Sequence, residues 1–572
     1  MENPLDLFLR VSKAVLNVIA SAALTFMMFL TVADIILRAT GHPLVGTYEI
    51  VSLSLALVIG FGIPRVSMDR GHVYMEILLA KLSPRNKAIM NTCTRILCLF
   101  LFILIAYNLF SVGAEFHASG EVSPTIRLPF FPVAYAVGVC CFIECLVFIA
   151  DILKIWSSTG IELGFAMALV GFFGFAYFNG VSAAMNLLGR DVYDVITNYG
   201  YTVFPLFILM GQIGFNAGIA VRLYGAANKF IGHIPGGLAM ATVVGATGFK
   251  AICGSSAATA ATFASVAVPE MDRYGYDRRL STGIVATVGS LGCIIPPSVV
   301  LIIFGIITEQ SIGQLFLAGM IPGLIIATLF LFIIYGWVKM NPKIAPLSGR
   351  SSWKERIKSL PEVVWILLVF LLVVGGMMAG YFTPTEAGAA GTFAVLILAI
   401  VTRNMNFKKY VISLSEAIRT AGMILMLIAG SSILGHFIAV TNIPQAVADW
   451  VVALPLNRYI IMILICFVYE IGGSFIDDLA FMILATPIFY PAVLKLGFNP
   501  LWFGIVVGVV VMIGVVIPPV AVCVFVVKNI TKEPMGRIYK GVTPFLLSLV
   551  FVWALLFVLP QLALWLPSVF YK

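Results

Sequence analysis

Long apolar runs fill most of the chain, and short clusters of charge separate them. Runs near 14–37, 48–64, 89–112, 131–152, 163–184, 201–224, 280–307, 315–338, 361–380, 387–402, 413–441, 500–527 and 541–566 read as helices that cross a bilayer. Two further apolar stretches, 232–269 and 457–490, are interrupted by Gly-Ser and read differently. Each is expected to be a re-entrant hairpin, entering and leaving on one side. The tips fall near Cys253–Ser256 and near Gly472–Asp478. Non-helical backbone at membrane depth survives only where protein or a wet cavity satisfies it, so both tips are expected inside the protein.

Composition agrees with the pattern. The 572 residues are 61% hydrophobic and 11% charged, with a mean hydropathy of +1.06. That excludes a soluble globular chain. The first run, Val15 to Leu37, is long for a signal sequence and no small-residue cleavage site follows it, so it reads as a retained helix. With the N-terminus in the cytoplasm, about 26 of the 35 Lys and Arg fall in inside loops. Arg38, Arg127, Arg190, Arg458, Lys495 and Lys572 fall outside, which places the C-terminus there too. Arg95, Lys250 and Arg419 lie within or at the ends of apolar segments. This bias sets the orientation, and it accounts for the net charge of +9 without a nucleic-acid partner. The nine cysteines lie in apolar segments without metal or disulfide spacing and read as small core hydrophobes.

Two segments repeat. Each hairpin leads to a glycine turn, Gly275-Tyr-Asp277 and Gly497-Phe-Asn499. From each glycine the first proline of a Pro-Pro pair lies 21 residues on, at Pro296 and Pro518. A glycine stands four residues before each pair, Gly292 and Gly514, and each hairpin exit carries a proline, Pro269 and Pro487. By the charge count the copy at about 201–338 starts outside and the copy at about 413–566 starts inside. An inverted-topology repeat with matched breaks is the signature of a secondary transporter whose site lies at the repeat interface.

A proline inside a helix costs about 3 kcal/mol and frees a carbonyl. A break therefore exposes carbonyls at the end of one half-helix and N–H groups at the start of the next. The first suit a cation such as Na⁺ and the second an anion. The first candidate cation site is Gly254, Ser255 and Ser256 at the tip with Gly289, Gly292 and Pro296 at the break. The symmetric candidate is Gly473, Ser474 and Asp477 with Gly514 and Pro518. An anion between them would lie against Ser256, Thr259, Asp478, Pro297 and Pro519. Carboxylate and carbonyl oxygens suit a hard cation. The plainer alternatives are that one of the two aspartates caps the following helix, which fits Asp478 as well as a site role does, that Ser255 and Ser256 bond back to the i−4 carbonyl, and that Thr259 and Thr262 only pack.

These residues resemble the large membrane subunit of the TRAP (tripartite ATP-independent periplasmic) transporters. The stretches that carry the resemblance are Pro205–Gly211, Gly254–Met271, Ser311–Gly323, Phe382–Ala389 and Gly473–Pro491. The first four spans resemble the family's small membrane subunit through Ala33–Glu49 and Asp69–Leu82. The resemblance implies a fused protein, with a four-helix module at 1–156 and a large part at 157–572. It implies an elevator mechanism driven by Na⁺ at two or more sites, with no organic cofactor. It also implies a bacterial inner-membrane location, a monomeric fused unit and substrate delivery by a periplasmic binding protein. The substrate would be a carboxylate or sulfonate: a C4-dicarboxylate, sialic acid or isethionate. The chain departs from the family in the short link Lys154–Ile161, where fused members often carry a connecting helix.

Other charged residues read as scaffold. Arg38, Glu49, Asp69, Arg70, His72 and Glu76 match family positions near the membrane surfaces, and Asp34 and Glu144 are expected to pair with neighbouring spans. Arg419 is expected to snorkel and His436 to make a polar contact across helices. Tyr381, Trp502, Trp553 and Trp565 read as interfacial anchors. A stand-alone Na⁺- or H⁺-coupled symporter is the nearest alternative. No hydrolase, zincin or nucleotide-loop motif supports an enzyme or a primary pump.

Overall fold

The computed structural model describes residues 4–69, 71–72, 83–153, 162–347, 349–519 and 521–571. The link at Lys154–Ile161, Arg70, Glu76 and Lys572 lie outside the described residues. Among those described the chain is helical, with one isolated bridge between Val122 and Pro129. Among the described residues eleven helices are long and apolar enough to cross a membrane.

The helices are α1 Pro4–Ala39, α2 Thr47–Met68, α3 Pro84–Ser119, α4 Phe131–Leu153, α5 Leu163–Asn179, α6 Val181–Thr197, α7 Val203–Asn216 and α8 Ile219–Ile231. Then come α9 Gly237–Lys250, α10 Ser256–Arg273, α11 Arg278–Ser290, α12 Val299–Ile307 and α13 Ile312–Met340. Next are α14 Trp353–Phe370, α15 Pro384–Val401, α16 Phe407–Val440 and α17 Ile443–Val452. The last are α18 Arg458–Phe475, α19 Asp478–Lys495, α20 Pro500–Gly514, α21 Val522–Thr531, α22 Met535–Val558 and α23 Gln561–Phe570.

Several expected spans are bent or divided. The run 163–184 divides at Gly180 into α5 and α6. The run 201–224 is α7 and α8, bent by 62° around Gly218. The run 541–566 is interrupted at Leu559-Pro560, where proline removes a helical donor. A π turn at Leu371–Gly375 follows α14. Uniform hydrophobicity hides these breaks, because glycine and proline scarcely change an apolar average.

The chain forms two compact units, Met1–Leu209 with Val411–Val447, and Met210–Tyr410 with Ala448–Lys572. In the first, α1 packs on α2, α2 on α4, and α3 on α4 and α6. Helix α16 approaches α5 so closely that a Cβ on Gly430 would overlap the Gly164 carbonyl. Arg95 donates to Glu162 at 2.7 Å, and both side chains are buried. Glu162 also faces His72 at 3.9 Å, and His72 meets Ser67 at 2.8 Å. Breaking one partner of such a pair would leave an uncompensated charge, so the network holds α3 and the start of α5 in one register. Asp34 accepts from the Leu44 amide at 2.9 Å instead of pairing across spans, which secures the turn after α1. Glu49 closes the loop before α4, accepting from Ser123 Oγ and the Thr125 and Ile126 amides. Glu144 is buried and faces Ser67.

In the second unit the two copies of the repeat interleave. The helical hairpin α9–α10 packs on α11, and α18–α19 packs on α20. The half-helix α12, beyond the first break, packs on α19 of the second hairpin. The half-helix α21, beyond the second break, packs on α10 and α11. Gly275 and Gly497 have φ of +75° and +76°, and the polar residue two further on, Asp277 or Asn499, caps the next helix. Helices α11 and α22 cross glycine to glycine, with a Cβ on Gly283 falling 2.6 Å from Gly541 Cα. Small residues let membrane helices approach in this way.

Trp502 is not an interfacial anchor: it is 2% exposed and donates to the Leu556 carbonyl at 2.8 Å. Its indole is the polar handle of a core residue. Tyr381 and Trp565 are exposed. Eight cysteines are buried and Cys93 is exposed.

The glycine crossing is testable. Gly283→Val is expected to destabilise the purified protein by ~1–3 kcal/mol, because the neighbouring backbone cannot give way. Gly336→Ala, on α13 with open space around it, should be neutral or stabilising by up to about 1 kcal/mol. Thermal melting of both variants in detergent checks the contrast, and equal melting points would show that the crossing is not tight.

Candidate functional site

Both hairpin tips and both Pro-Pro breaks fall in the second unit. The first tip is unwound over Ala251–Ser255. Ser255 is the N-cap of α10, its hydroxyl accepting from the Ala258 amide at 3.2 Å. Its carbonyl accepts from the Thr259 amide at 3.2 Å, from Thr259 Oγ1 at 3.0 Å and from Lys250 Nζ at 2.9 Å. Thr262 bonds back to Ala258. Ser256 reaches the first break, its Oγ 3.4 Å from Cys293 Sγ. Gly254 lies against the break as well, since a Cβ there would fall 2.7 Å from the Pro297 carbonyl.

The second tip is tighter. Only Ile476 and Asp477 stand between α18 and α19. Gly473 and Ser474 were expected in the unwound tip, but they belong to the last turn of α18. Asp477 is the N-cap of α19, its Oδ1 accepting from the Ala480 amide at 3.1 Å. Asp478 is the carboxylate that enters the interior. It is 5% exposed, and a Cβ on Gly473 would fall 2.6 Å from its Oδ1. A Cβ on Gly514 would overlap the same oxygen. Asp478 is therefore wedged between the hairpin and the glycine of the second break. Ser474 Oγ donates to Glu470 at 3.4 Å, and Glu470 is within electrostatic reach of Asp478. The sequence reading missed Glu470, although its i, i+4 spacing from Ser474 was visible.

The breaks share a cis bond and differ in the backbone that follows it and in chemistry. Both contain a cis Pro-Pro bond, Pro296-Pro297 and Pro518-Pro519. In the first, Ser298 Oγ donates to the Cys293 carbonyl at 2.7 Å and caps α12. In the second, α21 starts at Val522, and its N-cap residue Ala521 supplies no side-chain cap. At Gly289, a Cβ would fall 3.0 Å from Cys523 Sγ and 3.2 Å from the Ser256 carbonyl, so break, tip and α21 converge there. Gly292 lies against the Lys250 side chain, 3.0 Å from Cε for an added Cβ. Lys250 appeared in the sequence as a charge at the end of an apolar run, but was weighed only for topology.

The remaining candidates stand apart from this region. Arg419 is exposed and donates to the Asp69 carbonyl at 3.2 Å. His436 meets Asp191 at 3.2 Å, a polar contact across helices. Among the described residues no group of three His, Cys, Asp or Glu could hold a metal ion. An open cavity of about 490 Å³ in the first unit is lined by Glu49, Glu115, Glu121, Asp194 and Arg190. Its excess of carboxylates does not suit an anion.

Helices divided at matched prolines inside a polytopic bundle, with polar hairpin tips folded onto the breaks, are features of membrane permeases. Residues 152–562 match the family described as tripartite ATP-independent periplasmic transporter, DctM component, and residues 27–158 match its DctQ component. The chain belongs to the tripartite ATP-independent periplasmic (TRAP) transporter family, with both membrane components fused in one polypeptide. It is 34% identical over 382 residues to the C4-dicarboxylate TRAP transporter large permease protein DctM of Pseudomonas aeruginosa, covering 67% of this chain and 89% of that one. It is 25% identical over 595 residues to the sialic acid TRAP transporter permease protein SiaT of Haemophilus influenzae, covering 94% and 96%. It is 32% identical over 364 residues to the isethionate TRAP transporter permease protein DctMQ of Oleidesulfovibrio alaskensis, covering 64% and 57%.

The two aspartates of the second tip separate by substitution. Asp477→Asn keeps the cap and should melt near the wild type, whereas Asp477→Ala should lose ~0.5–2 kcal/mol. Asp478→Ala should leave the cap intact and remove uptake of the transported solute. Melting points and uptake, measured on the same preparations, check the division. Asp478→Ala with wild-type uptake would assign the wedge a packing role only.

Proposed function

We propose that the protein imports a small organic anion, a carboxylate or a sulfonate, in symport with Na⁺. A periplasmic substrate-binding protein delivers the anion. The second-unit hairpins are re-entrant and move with the broken helices as an elevator, while the N-terminal four helices serve as scaffold. The N-terminus is cytoplasmic, the C-terminus is periplasmic, and the fused chain works as a monomer in the bacterial inner membrane.

The observation that carries this reading is the placement of Asp478 against the glycine of a carbonyl-rich break. A proline pair deletes two N–H donors and no acceptor, so the break is short of positive charge. A buried carboxylate added there calls for a cation, and oxygen ligands suit Na⁺. Gly473, Ser474, Asp477, Asp478 and the backbone from Gly514 to Pro518 are the groups that would hold it. The uncapped start of α21, with Pro519 before it, would face the anion together with Ser256 and Thr259. Each arm of the second hairpin has 18 residues, about 27 Å of helix at 1.5 Å per residue. That length permits a crossing; the Lys and Arg bias of the flanking loops favours re-entry. The carboxylate and sulfonate class follows from the substrates in the names of the three relatives.

Uptake into proteoliposomes tests the reading. Radiolabelled carboxylates and sulfonates are offered with and without an inward Na⁺ gradient, each with and without the cognate binding protein. Uptake that requires both is the expected result. Na⁺-driven uptake without the binding protein would replace it by a stand-alone symporter. Uptake driven only by a proton gradient would remove Na⁺ from the site and make Glu144, Asp477 and Asp478 the carriers to examine.

A further inference from the structure

The two breaks hold opposite charges. The side chain over Gly514 is the Asp478 carboxylate, and the side chain over the equivalent Gly292 is the Lys250 amine. Lys250 is wholly buried. Among the described residues its hydrogen-bond partner is the Ser255 carbonyl at 2.9 Å, and it makes no ion pair. Its titratable neighbours are Cys253, Cys293 and Cys523, and none is a carboxylate. A buried amine without a counter-ion is costly unless dipoles take the counter-ion's place. Here a carbonyl dipole does so: Lys250 Nζ donates to the Ser255 carbonyl, and the amine lies against a break that lacks two donors.

These are the groups the sequence marked as the first Na⁺ site. They do not fit a free ion. The Ser255 carbonyl already accepts three hydrogen bonds, from Lys250 and twice from Thr259. The Ser255 hydroxyl is used as a cap and the Cys293 carbonyl by Ser298. The space over Gly292 is filled, because a Cβ there would overlap Lys250 Nζ.

We infer that the Lys250 amine is a tethered cation that takes the place of Na⁺ at the first tip and break. Only the second break, with Asp478, then draws Na⁺ from solution. This rests on the Na⁺-coupled reading above for the second site, but the claim about the first site is tested separately. The pseudo-symmetric backbone provides two cation cradles, and this chain fills one with its own side chain. The substitution lowers the number of ions moved per cycle by one and leaves the architecture of the tip intact.

Binding of ²²Na⁺ to the purified full-length protein, counted per molecule, tests the inference through the difference between Lys250→Ala and the wild type. The variant is expected to bind one more Na⁺. Na⁺ in place of choline is expected to raise its melting point more than that of the wild type. Lys250→Ser, which adds an oxygen to the vacated space, serves if the alanine variant does not fold. An unchanged count overturns the tethered cation, and so does a wild-type count of two or more. The coupling reading is judged by the wild-type count alone. A count of zero that becomes one in the variant upholds the tether and sinks Na⁺ at the second break. A count of one in both proteins does the reverse, and zero in both sinks both.

Discussion

A backbone group that loses its helical partner inside an apolar interior must find another, and most of the second unit is arranged around that requirement. Each Pro-Pro pair deletes two donors and leaves every carbonyl in place, so each break carries an excess of acceptors. At the first break Ile294 and Ile295 both turn back to the Leu291 carbonyl, and Ser298 takes the Cys293 carbonyl. At the second, Val516 and Ile517 turn back to Ile513, and Cys523 reaches Val515 across the break. The hairpin tips lie against these breaks, Ser256 Oγ 3.4 Å from Cys293 Sγ and the Asp478 carboxylate against Gly514. The glycines follow from the same requirement: Gly254, Gly292, Gly473 and Gly514 stand where a Cβ would collide with the group brought in.

The interleaving of the two copies follows from this. A half-helix that begins in mid-bundle cannot bury itself against its own hairpin alone. Helix α12 packs on α19 and α21 packs on α10 and α11, so each break is completed by the other copy. The glycine crossing of α11 and α22 draws the copies together at one further point. A change at one tip therefore reaches both breaks: Ser256 touches Cys293, and Gly289 lies between Ser256 and Cys523. Tip and break are therefore packed as one object.

Much of this was legible in the chain. Apolar runs located the helices, and the matched spacing from Gly275 and Gly497 to the two Pro-Pro pairs located the breaks. The same spacing foretold the turns, because glycine at positive φ followed by Asp or Asn two residues on is a helix stop and start in four residues. Other features were not legible. Hydrophobicity does not register a bend such as that between α7 and α8, and tryptophan near a span end cannot be told from a buried one, as Trp502 shows. The division of labour between Asp477 and Asp478 depends on where α18 stops. It runs one turn further than its Gly-Gly-Ser suggests, so Asp477 becomes the cap and Asp478 turns inward.

With Lys250 as the tethered cation inferred above, the repeat misleads in one respect, and the reason is physical. Matched glycines and prolines fix matched backbones, and matched backbones offer matched carbonyls. From that it is natural to expect the same ion twice. But an ion answers to the whole charge of its site, and side chains supply the larger share. One lysine at the end of α9 and one aspartate at the start of α19 give two like cradles opposite signs. Cys293 and Cys523 lie between them, within reach of Lys250 and Asp478 alike. On the proposed elevator mechanism the backbone symmetry serves the motion, which must be reversible. On the proposed Na⁺ symport the asymmetry of charge serves the coupling, because a gradient can drive only the site that gives its ion back to water.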